Sequence, residues 1–246
     1  MGLEGRVILV TGGARRVGAA IVRRLHAAGA SILLHYRSAS SAAEALADEL
    51  GCARPGSVRT LRADLLATDG LPALVDRALG AFGRLDGLVN NASSFFATPI
   101  GAIREADWTD LIGTNLKAPL FLSQAAAPSL RESRGAIVNI VDIHAERPLA
   151  RYPVYCAAKA GLAGLTRALA IELAPEVRVN GVAPGPISWP ETDDFDLRER
   201  AAIVEHTLLK RVGDPEDIAG AVEYLLSAPY VTGQILAVDG GRSAHL

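Results

Sequence analysis

A tyrosine and a lysine stand four positions apart in the sequence, Tyr155 and Lys159, at the start of a long stretch with helical character. Residues at this spacing share one face of a helix, so the two side chains are expected to be neighbours. The pKa of a free tyrosine is about 10, and a neighbouring ammonium favours the ionised phenol, so we expect Lys159 to lower the pKa of Tyr155. A tyrosine tuned in this way can transfer a proton near neutral pH, which is acid–base chemistry.

The second chemical feature is a glycine-rich turn, residues 11–18, which reads TGGARRVG and precedes a helical pattern. Its glycines let the backbone approach a pyrophosphate closely, and the helix that follows offers free N–H groups and a partial positive charge. The spacing differs from the G-x-G-x-x-G fingerprint, because Gly12 and Gly18 are six apart and Arg16 stands at the place of a middle glycine. The position of the turn at the first strand–helix junction favours nucleotide binding over an ordinary turn.

The end of the second predicted strand indicates which nicotinamide nucleotide is bound. Folds that prefer NAD usually place an acid here, which binds the ribose 2′-hydroxyl. Residues 31–43 contain no Asp or Glu, and the tripeptide YRS at 36–38 stands where that acid is expected. Guanidinium groups bind phosphate through paired hydrogen bonds, and Arg15 and Arg16 project from the glycine turn. Arg37 alone would be read as a surface charge, but together these features predict NADPH rather than NADH.

Short apolar runs alternate with longer helical stretches, and this pattern predicts the elements that position these groups. The strands are predicted at 7–10, 32–35, 58–61, 88–90, 136–141, 177–182 and 235–238. Continuous apolar runs are typical of strands covered on both faces, and the helices between them imply crossovers in a parallel sheet. We expect an α/β fold, a single doubly wound Rossmann domain over residues 1–246, with about seven parallel strands and helices on both faces. The segment 184–198 contains three prolines and four acids, and is predicted to be a substrate loop with a short helix.

Composition bears on the classes of partner. The 246 residues are 50% hydrophobic and carry a net charge of −2, so bulk attraction to nucleic acid is not expected. The apolar run at 7–10 is too short for a membrane span or a signal peptide. Cys52 and Cys156 form no C-x-x-C pair and the five histidines show no metal-ligand spacing, so we expect no metal site, no disulfide and a cytoplasmic location.

Because only 5% of the residues are aromatic, the adjacent Phe95 and Phe96 are interpreted as site residues.

Several motifs occur in one order along the chain, namely the turn at 11–18, Asn91-Ala92, Asn115, Tyr155 with Lys159, and Pro184-Gly185. This arrangement resembles the short-chain dehydrogenase/reductase family over essentially the whole length. The resemblance implies that Tyr155 donates a proton, that Lys159 lowers its pKa and binds the cofactor ribose, and that Asn115 holds a water in a proton relay. The cofactor-binding residues predicted from the residues and the resemblance together are Gly12, Arg15, Arg16, Val17, Tyr36, Arg37, Ser38, Asp64, Leu65, Asn91, Ala92, Ser93, Tyr155, Lys159, Pro184, Gly185, Ile187 and Ser188.

One position departs from the family pattern, which usually has a serine thirteen residues before the tyrosine and here has Asp142. Reduction of a plain ketone calls for a neutral hydroxyl that bonds to the carbonyl oxygen. A carboxylate suits instead a substrate whose ring nitrogens need protons, because it can bond to Tyr155 and supply it with a proton. The alternative interpretation is that Asp142 marks an enzyme that has lost carbonyl activity.

Other fragments resemble the pteridine reductases within this family, namely TGGARRVG, HYRSAS, NNASSFF, Asp142 and PGPISWPE. This resemblance implies that Arg16 and Ser93 contact the pterin and the neighbouring cofactor. It also implies that Phe95 stacks on the pterin face opposite the nicotinamide, and a flat, electron-poor bicycle is well held between two rings. The predicted substrate-binding residues are Arg16, Ser93, Phe95, Asp142 and Tyr155.

The leading hypothesis is an NADPH-dependent pteridine reductase that converts dihydropterins, and dihydrofolate as a further candidate, to the tetrahydro level. The first alternative is a short-chain reductase of another ketone or alcohol, of 3-oxoacyl, sugar or steroid type, with Asp142 incidental. The second is a catalytically silent NADPH-binding regulator, against which the intact catalytic residues argue. The resemblance also implies a homotetramer, or at least a dimer, through the helices predicted at 107–128 and 155–173.

Overall fold

The computed structural model describes residues 2–189 and 196–244. The strands are β1 (Val7–Val10), β2 (Ser31–Tyr36), β3 (Val58–Arg62), β4 (Gly87–Asn90), β5 (Ala136–Ile140), β6 (Arg178–Pro184) and β7 (Ile235–Val238). The α-helices are α1 (Arg16–Ala27), α2 (Ser40–Ala53), α3 (Leu71–Phe82), α4 (Glu105–Ile112), α5 (Ala118–Ser133), α6 (Pro153–Glu172), α7 (Leu197–Glu205) and α8 (Pro215–Ser227). The strands form one parallel sheet in the order β3-β2-β1-β4-β5-β6-β7, which confirms the predicted doubly wound α/β architecture.

Strand β1 shows why the strands are continuous apolar runs in the sequence. All four of its residues are buried, and successive side chains point to opposite faces of the sheet. Ile8 and Val10 pack in the core that the sheet forms with α1, α2 and α8, whereas Val7 and Leu9 pack in the core formed with α3 and α5. Helices therefore cover both faces, and the burial of each such side chain contributes about 2 kcal/mol.

The helix predicted at 107–128 is longer than predicted and is interrupted. It consists of α4, a π-helical segment (Gly113–Lys117) and α5. The prediction ended at Pro128, which has no backbone N–H to donate, but α5 continues because the next turn places Leu130 in the core. Hydrophobic periodicity does not reveal a single π-helical turn, so the interruption was not predicted.

Half of the predicted strand ends are wrong by one or two residues, because pairing with a neighbouring strand sets them. Strand β2 extends to Tyr36, which pairs with Arg62, and β6 extends to Pro184, which pairs with Val238. Strand β5 ends at Ile140, one residue before its predicted end. The sequence of a strand alone does not contain this information.

Helix α6 is long and apolar enough to cross a membrane by length and composition, with a mean hydropathy of 1.2. Half of this apolar window is buried inside the fold, where the helix packs against β6. The helix also buries a charged side chain, Lys159. We therefore interpret α6 as a core helix that carries functional residues.

The strand order places β1 beside β4, and the chain continues from these two strands toward opposite edges of the sheet. At such a switch point the connections leave in opposite directions and open a crevice outside the carboxyl ends of the strands, where open α/β sheets bind their ligands. The loops that follow β1, β4, β5 and β6 all reach this crevice.

Candidate active site

The crevice holds a cavity of about 740 Å³. Every residue predicted to contact cofactor or substrate lines this cavity, from the glycine turn to Phe95, Asp142 and the β6 loop. Asn115 is the predicted catalytic residue that does not line it. The sequence therefore identified the location of the cavity correctly, while the roles of the individual residues remain predictions.

The glycine turn is held in place by the ends of two neighbouring strands. The Thr11 hydroxyl oxygen accepts from the backbone N–H groups of Asn91 and Ala92, at 2.9 and 3.0 Å. The Asn91 side chain donates back to the carbonyl oxygen of Thr11 at 2.8 Å. On the other side, the Gly12 N–H donates to Nδ1 of His35 at 3.2 Å. Burial lowers the pKa of His35 to about 4, so its ring is neutral at physiological pH and can accept this bond.

At two glycines, one in the glycine turn and one directly after β6, the backbone lies too close to neighbouring atoms for a side chain. A Cβ on Gly18 would lie 2.1 Å from the carbonyl oxygen of Gly12 and 2.8 Å from Nδ2 of Asn91. A Cβ on Gly185 would lie 2.6 Å from the Cα of Asp239. Glycine is thus required at both positions, and the exposed backbone at the start of α1 matches the requirement of a pyrophosphate for close N–H groups.

Three arginines stand at the nucleotide end of the cavity, Arg15, Arg16 and Arg37, and all are exposed. None forms an ion pair with a carboxylate of residues 2–189 and 196–244. Arg16 has a φ of 50°, in the left-handed region that costs a residue with a side chain about 1 kcal/mol, and it makes a long contact of 3.4 Å to the carbonyl oxygen of Ser188. The side chain thus extends across the mouth toward the β6 loop.

Three of the side chains predicted to be catalytic converge from the end of β5 and from α6. The Tyr155 hydroxyl donates to Oδ2 of Asp142 at 2.7 Å. Lys159, one turn further along α6, donates from Nζ to the carbonyl oxygen of Ile140 at 2.8 Å. The same Nζ lies 5.7 Å from the centre of the Tyr155 ring, which confirms that the two residues share one face of the helix.

The electrostatics of this cluster differ from the expectation. The pKa of Tyr155 is raised well above its ordinary value, first by burial and then by the charge of Asp142 and the hydrogen bond to it. The net shift of this pKa is thus opposite to the lowering expected from Lys159, because burial and then the Asp142 anion both favour the neutral phenol; the further lowering expected from the positive nicotinamide ring of an oxidised cofactor remains a prediction. Burial lowers the pKa of Lys159 to about 8, with the charge of Asp142 opposing. Tyr155 thus keeps its proton, which suits a proton donor better than a base.

Asn115 lies in the π-helical segment and is fully buried. Its Nδ2 donates to the carbonyl oxygens of Leu111 and Ser94, both at 2.9 Å. Its Oδ1 accepts from the Ser93 hydroxyl at 2.6 Å. Asn115 thus fixes the loop after β4 from behind the cavity wall, and its predicted role in holding a water remains a prediction.

The two adjacent phenylalanines have different surroundings. Phe95 lines the cavity, stacks on Tyr152 with ring centres 4.6 Å apart and an interplanar angle of 12°, and meets Tyr155 edge-on at 4.8 Å. Phe96 packs in the same small core cluster but does not line the cavity, so its interpretation as a site residue is not supported. Stacking of Phe95 on a pterin remains a prediction.

Sequence reasoning missed part of the cavity wall. The missed residues are His35, Ala39, Ser94, Thr114, Ile140, Val141, Ile143, His144, Leu149, Ile203 and Arg242, whereas Ala14 and Gly18 belong to the predicted glycine turn and Pro186 and Trp189 to the predicted substrate loop. Most follow the carboxyl end of a predicted strand, and this position was the signal that could have found them. In the predicted substrate loop, residues 184–189 line the cavity and residues 190–195 lie outside the described residues. A short helix, α7, begins only at Leu197 and so lies mostly beyond the predicted segment 184–198. Within the described residues, no group of three or more His, Cys, Asp and Glu side chains can hold a metal ion.

This fold and site define a class of protein. The parallel sheet, the glycine turn at its switch point and the tyrosine and lysine on α6 are those of an NAD(P)-dependent oxidoreductase. A sequence profile of the family described as Enoyl-(Acyl carrier protein) reductase matches residues 12–243. The chain belongs to the short-chain dehydrogenase/reductase family, which confirms the resemblance and does not favour the catalytically silent alternative.

Individual relatives cover almost the whole chain. Pteridine reductase 1 of Leishmania tarentolae is 39% identical over 96% of this chain and 96% of its own. A 3-oxoacyl-[acyl-carrier-protein] reductase of Synechocystis sp. is 34% identical over 97% of each chain. The crystal structure of a blue fluorescent protein from a metagenomic library, in complex with NADPH, matches with a TM-score of 0.91 and 39% identity, over 98% of this chain and 99% of that one. Relatives with different substrates are thus similarly close.

Proposed function

We propose that this protein is an NADPH-dependent pteridine reductase that reduces dihydropterins, with dihydrofolate as a further substrate, to the tetrahydro level. The hydrogen bond from the Tyr155 hydroxyl to the Asp142 carboxylate carries the proposal. A carboxylate in this position cannot donate to a ketone oxygen when ionised, but it can keep the tyrosine protonated and replace its proton. The 39% identity to a pteridine reductase supports the same substrate class.

The cofactor site fits NADPH. The glycine turn and the start of α1 line the cavity, where N–H groups suit a pyrophosphate, and Arg15 and Arg37 line the same cavity for a 2′-phosphate. No acid occurs in residues 31–43 to favour the 2′-hydroxyl of NADH. When bound, NADPH supplies the hydride for a pterin ring carbon.

The residues of the chain supply the proton. Tyr155 donates its proton to the ring nitrogen adjacent to the carbon that receives hydride, and Asp142 passes a proton from solvent to the tyrosine. The ammonium of Lys159 stabilises the negative charge that develops on the phenol oxygen, and burial strengthens this interaction. Two contacts among these residues support the proposal, the hydrogen bond from Tyr155 to Asp142 and the approach of Lys159 to the Tyr155 ring.

The assignment of the 2′-phosphate site predicts the effect of Arg37→Ala. Loss of one charge-assisted contact, of about 2 kcal/mol, is expected to raise the KM for NADPH about thirtyfold and to leave the KM for NADH within twofold. Steady-state rates with both nucleotides measure this effect. An equal rise for both would place Arg37 elsewhere than at the phosphate.

A second candidate function is reduction of a ketone, and one observation favours it. Ser93 lines the cavity close enough to Tyr155 to oppose the rise of its pKa, so its hydroxyl occupies a position from which it can replace the missing serine. The single hydroxyl proton of Ser93 is donated to Asn115, however, and is not available to a carbonyl oxygen without a rotation. We therefore rank pterin reduction first.

A panel of substrates tests the proposal. Initial rates are measured with dihydrobiopterin, dihydrofolate, a 3-oxoacyl thioester and a simple ketone, each with NADPH and with NADH. The proposal expects kcat/KM for a dihydropterin with NADPH to exceed that for either carbonyl substrate by at least about 100-fold, the scale of one positioned acid. Turnover of a carbonyl substrate without turnover of the pterins would contradict it.

We further propose that the chain is one domain and assembles as a homotetramer, or at least a dimer, through the helices predicted at 107–128 and 155–173. Trp108 and Phe121 on α4 and α5 are 47% and 37% exposed, and Ile171 on α6 is 81% exposed. Apolar side chains of this size on one set of helices are typical of an interface. Light scattering is expected to give a multiple of the monomer mass, and a monomer at micromolar concentration would contradict the assembly.

A cytoplasmic location remains a proposal that rests on the two free cysteines.

A further inference from the structure

A second cavity of about 250 Å³ adjoins the candidate active site, and we call it the annex. Four residues line both cavities, Ile143, His144, Leu149 and Arg242. The backbone N–H of His144 donates to Oδ1 of Asp142 at 2.8 Å. The annex therefore begins one residue beyond the catalytic carboxylate, and a substrate held at Tyr155 can extend into it.

The walls of the annex are basic. Arg147 and Arg242 line it together with two histidines, His144 and His206, and none of its described lining residues is acidic. The side chain of Arg147 forms no ion pair among residues 2–189 and 196–244. Two cations thus stand at one small cavity without a carboxylate on its wall.

Two acids beside these cations, Asp239 and Glu146, are engaged by other groups. Asp239 acts on Arg242 through its charge, but its oxygens accept from the backbone N–H groups of Gly241 and Ser243, at 2.9 and 2.7 Å. Glu146, the neighbour of Arg147, pairs with Arg167 at 3.9 Å.

The guanidinium of Arg242 retains donors for a ligand. Toward residues 2–189 and 196–244 its side chain makes one hydrogen bond, from Nη1 to the carbonyl oxygen of Ile203 at 2.8 Å, and a guanidinium has five N–H donors. Burial lowers its pKa, which reflects a cation partly removed from water. An anion that entered the annex would therefore find a fixed, partly dehydrated donor.

We propose that the annex is an anion subsite that binds a carboxylate or phosphate on the tail of the substrate while the substrate ring lies at Tyr155. The proposal rests on the proposed function, because it names the tail of the same substrate. Arg242 binds the anion from the wall shared by both cavities, and Arg147 adds a second charge from the exposed side.

The test compares three dihydropterins that share the ring and differ in the tail. Dihydrofolate carries carboxylates, dihydroneopterin monophosphate carries a phosphate, and dihydrobiopterin has an uncharged side chain. Initial rates with NADPH are measured for the wild type, Arg147→Ala and Arg242→Gln, in which the amide can still donate to the carbonyl oxygen of Ile203. Arg131→Ala is the matched control, because Arg131 is an exposed arginine in the last turn of α5 that lines neither cavity.

Both annex variants are expected to raise the KM for at least one anionic substrate about tenfold relative to dihydrobiopterin, and the control to raise it for none. The substrate affected identifies the anion as carboxylate or phosphate. An equal change for all three substrates, or no change, would overturn the subsite while the pterin activity of the wild type stood. A wild type that reduces none of the three would instead overturn the proposed function.

Discussion

The substitution Tyr155→Phe is expected to lower kcat/KM for a dihydropterin about 1000-fold, which corresponds to about 4 kcal/mol of transition-state stabilisation. The phenol hydroxyl is the proposed proton donor, and it is buried in direct contact with Asp142 at 2.7 Å. Phenylalanine preserves the ring packing against Phe95, so the loss reports chemistry rather than folding. Initial rates of NADPH oxidation measure it.

Cofactor binding supplies the control for this variant. Trp189 lines the cavity and is one of two tryptophans in the chain, so quenching of tryptophan fluorescence by NADPH can be compared between wild type and variant. The dissociation constant is expected to agree within about threefold, less than the contribution of one neutral hydrogen bond. Near-normal turnover by Tyr155→Phe would show that another group donates the proton.

The substitution Asp142→Asn is expected to lower kcat/KM for a dihydropterin about 100-fold. The amide has nearly the same shape, and its oxygen can still accept a hydrogen bond from the Tyr155 hydroxyl. It carries no charge, however, and cannot pass on a proton. Asp142→Ser, in contrast, restores the hydroxyl that a ketone needs. It is expected to increase the ratio of ketone to pterin turnover.

The pH profile gives an independent readout of Asp142. The charge of Asp142 raises the pKa of Lys159, which burial holds at about 8, and it also raises the pKa of Tyr155. Removing this charge lowers both values, so activity that needs the ammonium and the neutral phenol is lost at a lower pH. The alkaline limb of the rate profile of Asp142→Asn is expected to move to lower pH. An unchanged limb would mean that Asp142 is electrostatically remote from the reacting groups.

The fold could be predicted because each strand shows its burial directly in its own short run of the sequence. Four buried residues in β1 face two helix layers, and a strand covered on both faces must be a continuous apolar run. The π-helical segment was not predictable, because it changes no hydrophobic period while it turns Asn115 behind the cavity wall. Strand ends were set by partners distant in sequence, as for Tyr36 and Arg62.

The residues that line the site could be predicted from the sequence, but the pKa shift of Tyr155 could not. The spacing of Tyr155 and Lys159 correctly placed them on one face of α6. It did not show how deeply the phenol is buried or that it bonds to Asp142, and burial followed by this contact shifts the pKa of Tyr155 upward instead of downward. His35 was missed because its role, as acceptor for Gly12, depends on a contact between two strand ends.

We propose that the Asp142–Tyr155 pair protonates the ring of a dihydropterin while NADPH reduces it. The most direct measurement is the stoichiometry of the reaction, with NADPH consumption followed by absorbance and the pterin product by chromatography in the same sample. We expect one tetrahydropterin to form for each NADPH oxidised by the wild type, and neither change above background for Tyr155→Phe. Oxidation of NADPH without formation of a tetrahydropterin would contradict it.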